Sequence, residues 1–140
     1  MTILRGTAVQ PQLRDEIELR DKALSGDMVF SITPATIVTA PTSALWTRDI
    51  VIEVQDAAGN LHTWLDQAYT TKLVIANTST AGTATIASTT LTLEQGRAVI
   101  TVSGDALAWL ATETDTLTVA DITVMGYTIT GGTSVETFTA

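Results

Sequence analysis

From Met28 onward the apolar side chains recur at every second residue, and that period constrains the fold more than any other feature of the chain. The clearest instance is Asp49-Ile50-Val51-Ile52-Glu53-Val54-Gln55, where Ile50, Ile52 and Val54 share one face and Asp49, Val51, Glu53 and Gln55 the other. Successive side chains of an extended strand point to opposite faces, so such a stretch buries one row and wets the other. Threonine supplies 28 of the 140 residues, and only two of them precede residue 33. Its branched β-carbon favours the pleated backbone, while its hydroxyl keeps an exposed strand face hydrated. Disordered chains lack the Val, Ile and Leu that alternate with threonine here.

Further strands are predicted at Met28–Ile32, Leu61–Trp64, Lys72–Ala76, Thr83–Ala87, Thr90–Leu93, Arg97–Val102, Thr116–Val119 and through a long terminal stretch, Ile122–Phe138. Turn residues fall at Asp56–Asn60, Asn77–Gly82, Glu94–Gly96, Ser103–Asp105 and Gly131–Gly132; Gly59 and Asn60 both suit a positive φ. Ala106–Ala111 reads as a single helical turn between strands, with Trp109 plugging one end of the core. Short strands with turns every 8–12 residues predict an all-β sandwich of about seven to nine strands, with a small barrel as the next reading.

The first 26 residues differ. Residues 1–10 read as an extended arm. Pro11 then opens PQLRDEIELRDKALSGD, in which Leu13, Ile17 and Leu24 fall on one face of a short helix capped by Gly26. Glu16 with Arg20 and Glu18 with Lys22 are spaced to pair along it. Residues 1–22 carry four basic and four acidic side chains, whereas residues 23–140 carry three basic and eleven acidic, which is the whole net charge of −8. The division predicts a docking segment over 1–26 and a sandwich over 27–140, acidic enough to repel its neighbours and stay dissolved.

Composition narrows the chemistry. Without cysteine there is no disulfide framework, thiolate catalysis or thiolate-bound metal. A pI near 4.3 argues against nucleic acid, whose binding needs clustered positive charge. No stretch approaches the roughly 18 apolar residues of a membrane helix, and MTILRGTAVQPQ lacks the apolar run of a signal peptide. The single histidine, His62, stands near Asp56 and Asp66 but without the convergent ligands of a metal site; it reads as a surface or core-edge residue. A calcium ion among Asp56, Asn60 and Asp66 would not follow the EF-hand spacing. A Lys–Asn isopeptide bond would draw on Lys22 or Lys72, Asn60 or Asn77, and a buried Glu53. Trp46, Trp64 and Trp109 read as core or strand-end residues before they read as a sugar-binding platform. The Thr-x-Thr spacings, such as Thr112/Thr114/Thr116/Thr118, lack the fixed period of an ice-binding coil. No catalytic residue, cofactor or metal is expected.

Three segments carry a family resemblance: Ile50-Val51-Ile52-Glu53-Val54-Gln55-Asp56-Ala57-Ala58-Gly59-Asn60, Leu93-Glu94-Gln95-Gly96-Arg97-Ala98-Val99-Ile100-Thr101-Val102, and Glu113-Thr114-Asp115-Thr116-Leu117-Thr118-Val119. They resemble, in turn, the strand with its D-x-x-G-N turn, the N-G-x-A-x-V-T-V strand and the closing strand of bacterial and phage immunoglobulin-like domains. The likeness covers about half the chain and speaks to fold more than function. A single such domain behind a short arm is similar to phage head decoration (cement) proteins. The resemblance implies a non-enzymatic virion structural protein on the outer face of the capsid. Its expected partners are the major capsid protein and sister copies (a trimer before a dimer), with no nucleic acid and no membrane. The expected contacts are Ile3, Leu4 and Arg5 of the arm and Leu13, Arg14, Ile17, Arg20 and Leu24 of the helix. The alternatives are a carbohydrate- or cell-surface-binding module and a tail or baseplate subunit.

Overall fold

The computed structural model describes residues 28–139 apart from Trp64 and Met125. The predicted arm, the predicted helix and all eight expected contact residues lie outside the described residues. The rest is all-β. Its strands are β1 (Val29–Thr33), β2 (Thr36–Thr39), β3 (Trp46–Gln55), β4 (Gln67–Tyr69), β5 (Leu73–Asn77), β6 (Ala84–Ile86), β7 (Leu91–Leu93), β8 (Arg97–Gly104), β9 (Thr114–Val119), β10 (Ile122–Val124), β11 (Tyr127–Ile129) and β12 (Gly132–Phe138).

Eight strands make two four-stranded sheets, in the orders β1-β3-β8-β6 and β2-β12-β9-β5; β10 and β11 form a hairpin, and β4 and β7 a small two-stranded sheet. With these four the described residues hold twelve strands, more than the seven to nine expected. All pairings are antiparallel except β2 with β12. Parallel pairing requires a crossover, which the chain between β2 and β12 supplies; β1 lies in the first sheet, and beyond Pro34 the chain joins the second as β2.

Alternation decides what is buried. Ile50, Ile52 and Val54 of the first sheet share one core with Leu117, Val119 and Phe138 of the second, and with Leu73, Leu91, Ile122 and Ile129. Each side chain of this size stabilises by about 1.5–3 kcal/mol on full burial. The core therefore rests on the row that the period of two marks out.

At one end of this core Trp46, Trp109 and Phe138 close together. Trp46 meets Trp109 edge to face with centroids 5.3 Å apart, and Trp109 lies 5.1 Å from Phe138. A β-carbon at Gly104, opposite Trp46 in the β3–β8 ladder, would overlap the indole ring, so only glycine lets the strand approach so closely.

Several local expectations are corrected. Ala106–Ala111 forms no helical turn: the N–H and the C=O of Trp109 both bond to Thr42, which leaves neither for a helix. The return strand expected at Leu61–Trp64 reduces to one bridge between Leu61 and Gln55. The long stretch Ile122–Phe138 divides into β10, β11 and β12. In the Asp56–Asn60 turn only Gly59 takes a positive φ, because Asp56 holds the turn by accepting from the N–H groups of Ala58 and Asn60. In the Glu94–Arg97 turn Gln95 and Gly96 both have positive φ (52° and 74°), the two-residue geometry whose twist suits a hairpin.

Candidate functional site

The charges of the two large sheets are arranged in opposite ways. On the first sheet the outward row of β3 includes Asp49 and Glu53, and that of β8 includes Arg97, whose Nε lies 3.6 Å from Glu53. On the second sheet the outward residues are Thr36 and Val38 of β2, Thr133, Val135 and Thr137 of β12, Thr114, Thr116 and Thr118 of β9, and Val74 and Ala76 of β5. Not one is charged. The register aligns them into rows across the strands, with Thr133 beside Thr118 beside Val74 and Thr36 beside Val135 beside Thr116 beside Ala76. With strands about 4.8 Å apart, four strands make a neutral, β-branched surface roughly 14 Å across. Val38 and Val74 are 67% and 57% exposed within it, on a chain of net charge −8.

The second sheet keeps its carboxyl groups inside. Asp115 of β9 and Glu136 of β12 are buried, and Arg48 of β3 reaches them from the first sheet. Its Nε donates to Asp115 Oδ1 at 3.1 Å, Nη2 donates to the same oxygen, and Nη1 donates to Ser134 Oγ at 2.8 Å. The Ser134 hydroxyl donates to the Pro34 carbonyl, and Thr39 of β2 donates to Glu136 Oε1, both at 2.6 Å. Arg48 Nε also lies 3.1 Å from Glu136 Oε2, but its one hydrogen points to Asp115, so this second approach is ionic only. Asp115 Oδ2 and Glu136 Oε2 are left without a hydrogen-bond donor. Burial, and then the Glu136 carboxyl beside it, push Asp115 up to about 7 against the pull of Arg48.

The indole N–H groups of Trp46 and Trp109 are buried without an acceptor, whereas several other polar groups are occupied by the fold. His62 is buried, with Nε2 3.4 Å from Asp56 Oδ2. The Asn60 backbone N–H leads a set of donors that hold Asp56 down to about 2. Glu113 accepts from the N–H groups of Leu110 and Thr80, and these donors, Leu110 first, lower its carboxyl below the usual range. Asp66 accepts from Gln95 N–H. Asn77 ties Gly82 to Ala84, and Glu53 is half-buried against Arg97 on the opposite sheet from Lys72 and β5. Among the described residues the isopeptide set of Lys72, Asn77 and Glu53 is therefore not brought together, and Lys22 lies outside them. A groove of about 1000 Å³ is lined by Leu61, Thr63, Asp66, Thr92, Glu94 and Arg97. Among the described residues no three His, Asp or Glu converge as metal ligands. Trp109 is fully buried and Trp46 half-buried in the aromatic cluster, so neither forms a platform for a sugar ring.

Neither the neutral face nor the Arg48 cluster is among the sequence-predicted contacts. A signal for the cluster exists: Arg48 continues the parity of Ile50, Ile52 and Val54, Asp115 that of Leu117 and Val119, and Glu136 that of Phe138. A charge in an apolar row on three strands marks a buried ionic group.

No family model matches the chain, and no curated protein matches it. Among solved structures the chain is similar to the crystal structure of the S-layer protein rSbsC(31-844), at 13% identity and a TM-score of 0.40; the match covers 80% of this chain and 13% of that one.

Proposed function

We propose that this chain is a non-enzymatic structural protein, an immunoglobulin-like β-sandwich that binds the outer face of an assembled phage capsid and decorates or stabilises it. The orders β1-β3-β8-β6 and β2-β12-β9-β5 support the immunoglobulin-like reading, since they correspond to the A-B-E-D and C-F-G sheets of that fold with the first strand shared between both. The arm and helix expected at its N-terminus support attachment to a lattice, as does the resemblance to decoration proteins.

The observation that carries the binding role is the neutral outer face of the second sheet. An acidic body is repelled by acidic neighbours wherever its charges face them, and this face meets a protein lattice without that repulsion. Each bound copy stabilises the shell by as much as it prefers the assembled form to free capsomers. Antibody labelling of particles of the virus encoding the chain tests the assignment by electron microscopy. Label on heads is the expected result. Label on tails would replace the reading with a tail or baseplate subunit, and particles devoid of the protein would overturn it.

A further inference from the structure

We propose that Arg48, Asp115 and Glu136 form a proton-operated clasp between the two sheets, closed when the two carboxyl groups share one proton and loosened when that proton leaves to solvent.

The charges require it. With both carboxyl groups ionised the cluster holds one positive and two negative charges in the core, a net −1 with no further cation facing it among the described residues. From β3 the facing charge is Arg48; from β9 it is Asp115; β12 adds Ser134 and Glu136, and β2 adds Thr39. β8, β6 and β5 present Val102, Ala84 and Ile75 toward the core, and none of these titrates. Glu113, the next carboxylate along the chain, is held by its own two backbone donors. One proton neutralises the cluster, and the two orphaned oxygens, Asp115 Oδ2 and Glu136 Oε2, provide its donor and acceptor sites. Like charges side by side in a buried site do not both ionise freely.

Opening has a defined consequence in the fold. Glu136 accepts the Thr39 hydroxyl, and Thr39 ends β2, whose only ladder among the described residues is its parallel one with β12. A second negative charge on the pair drives Glu136 from Asp115 and takes the Thr39 bond with it, so β2 loosens before the central strands.

The sign follows from linkage. A carboxyl group whose pKa is raised on folding binds more protons folded than unfolded. Its contribution is full below about pH 4 and is lost as pH rises through about 7. The full chain is therefore expected to melt lower at pH 8.5 than at pH 5, by about 5–10 °C, and Asp115→Asn to flatten that slope. A wild-type melting temperature that stays level or rises over this range overturns the proposal, as does an Asp115→Asn slope equal to wild type. Carboxyl carbon NMR of the unaltered chain gives a readout that does not depend on the variant folding. Asp115 should titrate near neutrality with concurrent faster amide exchange at Thr36–Thr39; titration of Asp115 below pH 5 would overturn the clasp.

Discussion

The two large sheets share one core and differ in where they place charge. The first exposes Asp49, Glu53 and Arg97 and sends a single cation, Arg48, inward. The second buries Asp115 and Glu136 and exposes only Thr, Val and Ala from its strands. An ordinary surface sheet wets its outer face with charge and keeps its inner face apolar, and the first sheet comes close to this pattern. The second reverses it, at a cost inside, since buried ions stabilise less than apolar residues of similar volume. What it gains is an outer face that an acidic chain can present to another protein.

Removing the one inward cation gives the largest effect on stability. Arg48→Ala leaves two buried carboxyl groups without a counter-charge, and urea unfolding should show a loss of about 3–5 kcal/mol. A loss below about 1 kcal/mol would mean the cluster is solvated and the inversion of charge is only apparent. Thr116→Lys with Thr118→Lys puts charge on the neutral face. Stability should change by less than about 0.5 kcal/mol per site, while affinity for shells should fall about 30-fold, equivalent to about 2 kcal/mol.

Acid probes a third difference. Donors from the first sheet's Asp56 turn hold that carboxylate down to about 2, so its contribution is present above about pH 4 and lost as pH falls through 2. Asp115 has the opposite sign, and thermal melts across pH should place maximum stability near pH 4–6. The smallest effect belongs to the outward pair: Arg97→Ala or Glu53→Ala should cost at most about 1 kcal/mol, and less in high salt.

The core was legible because burial follows the period of two, which needs only neighbours in sequence. Ile50, Ile52 and Val54 share one face in the letters alone, and that face is a buried row of the fold. Ending the strand at Asp49 hid Arg48, one residue further along that row, and with it the cluster. β2 was missed for a different reason: Thr36–Thr39 is four residues between prolines, and it is a strand only because β12, nearly 100 residues later, lies beside it. The Trp109 segment misled because an alanine-rich stretch favours helix locally, while burial of the indole and two bonds to Thr42 prevail in the folded chain. The neutral face was present in the sequence as Thr-x-Thr, yet its meaning depends on four strands lying side by side.

The most direct test of the account is co-sedimentation of the full chain with capsids from which it has been stripped, comparing three versions. Wild type and Thr101→Lys, altered on the outer face of the first sheet, should bind alike, and Thr116→Lys/Thr118→Lys should stay in the supernatant. Equal binding by all three, or loss only with Thr101→Lys, would contradict the assignment of the second sheet as the binding face.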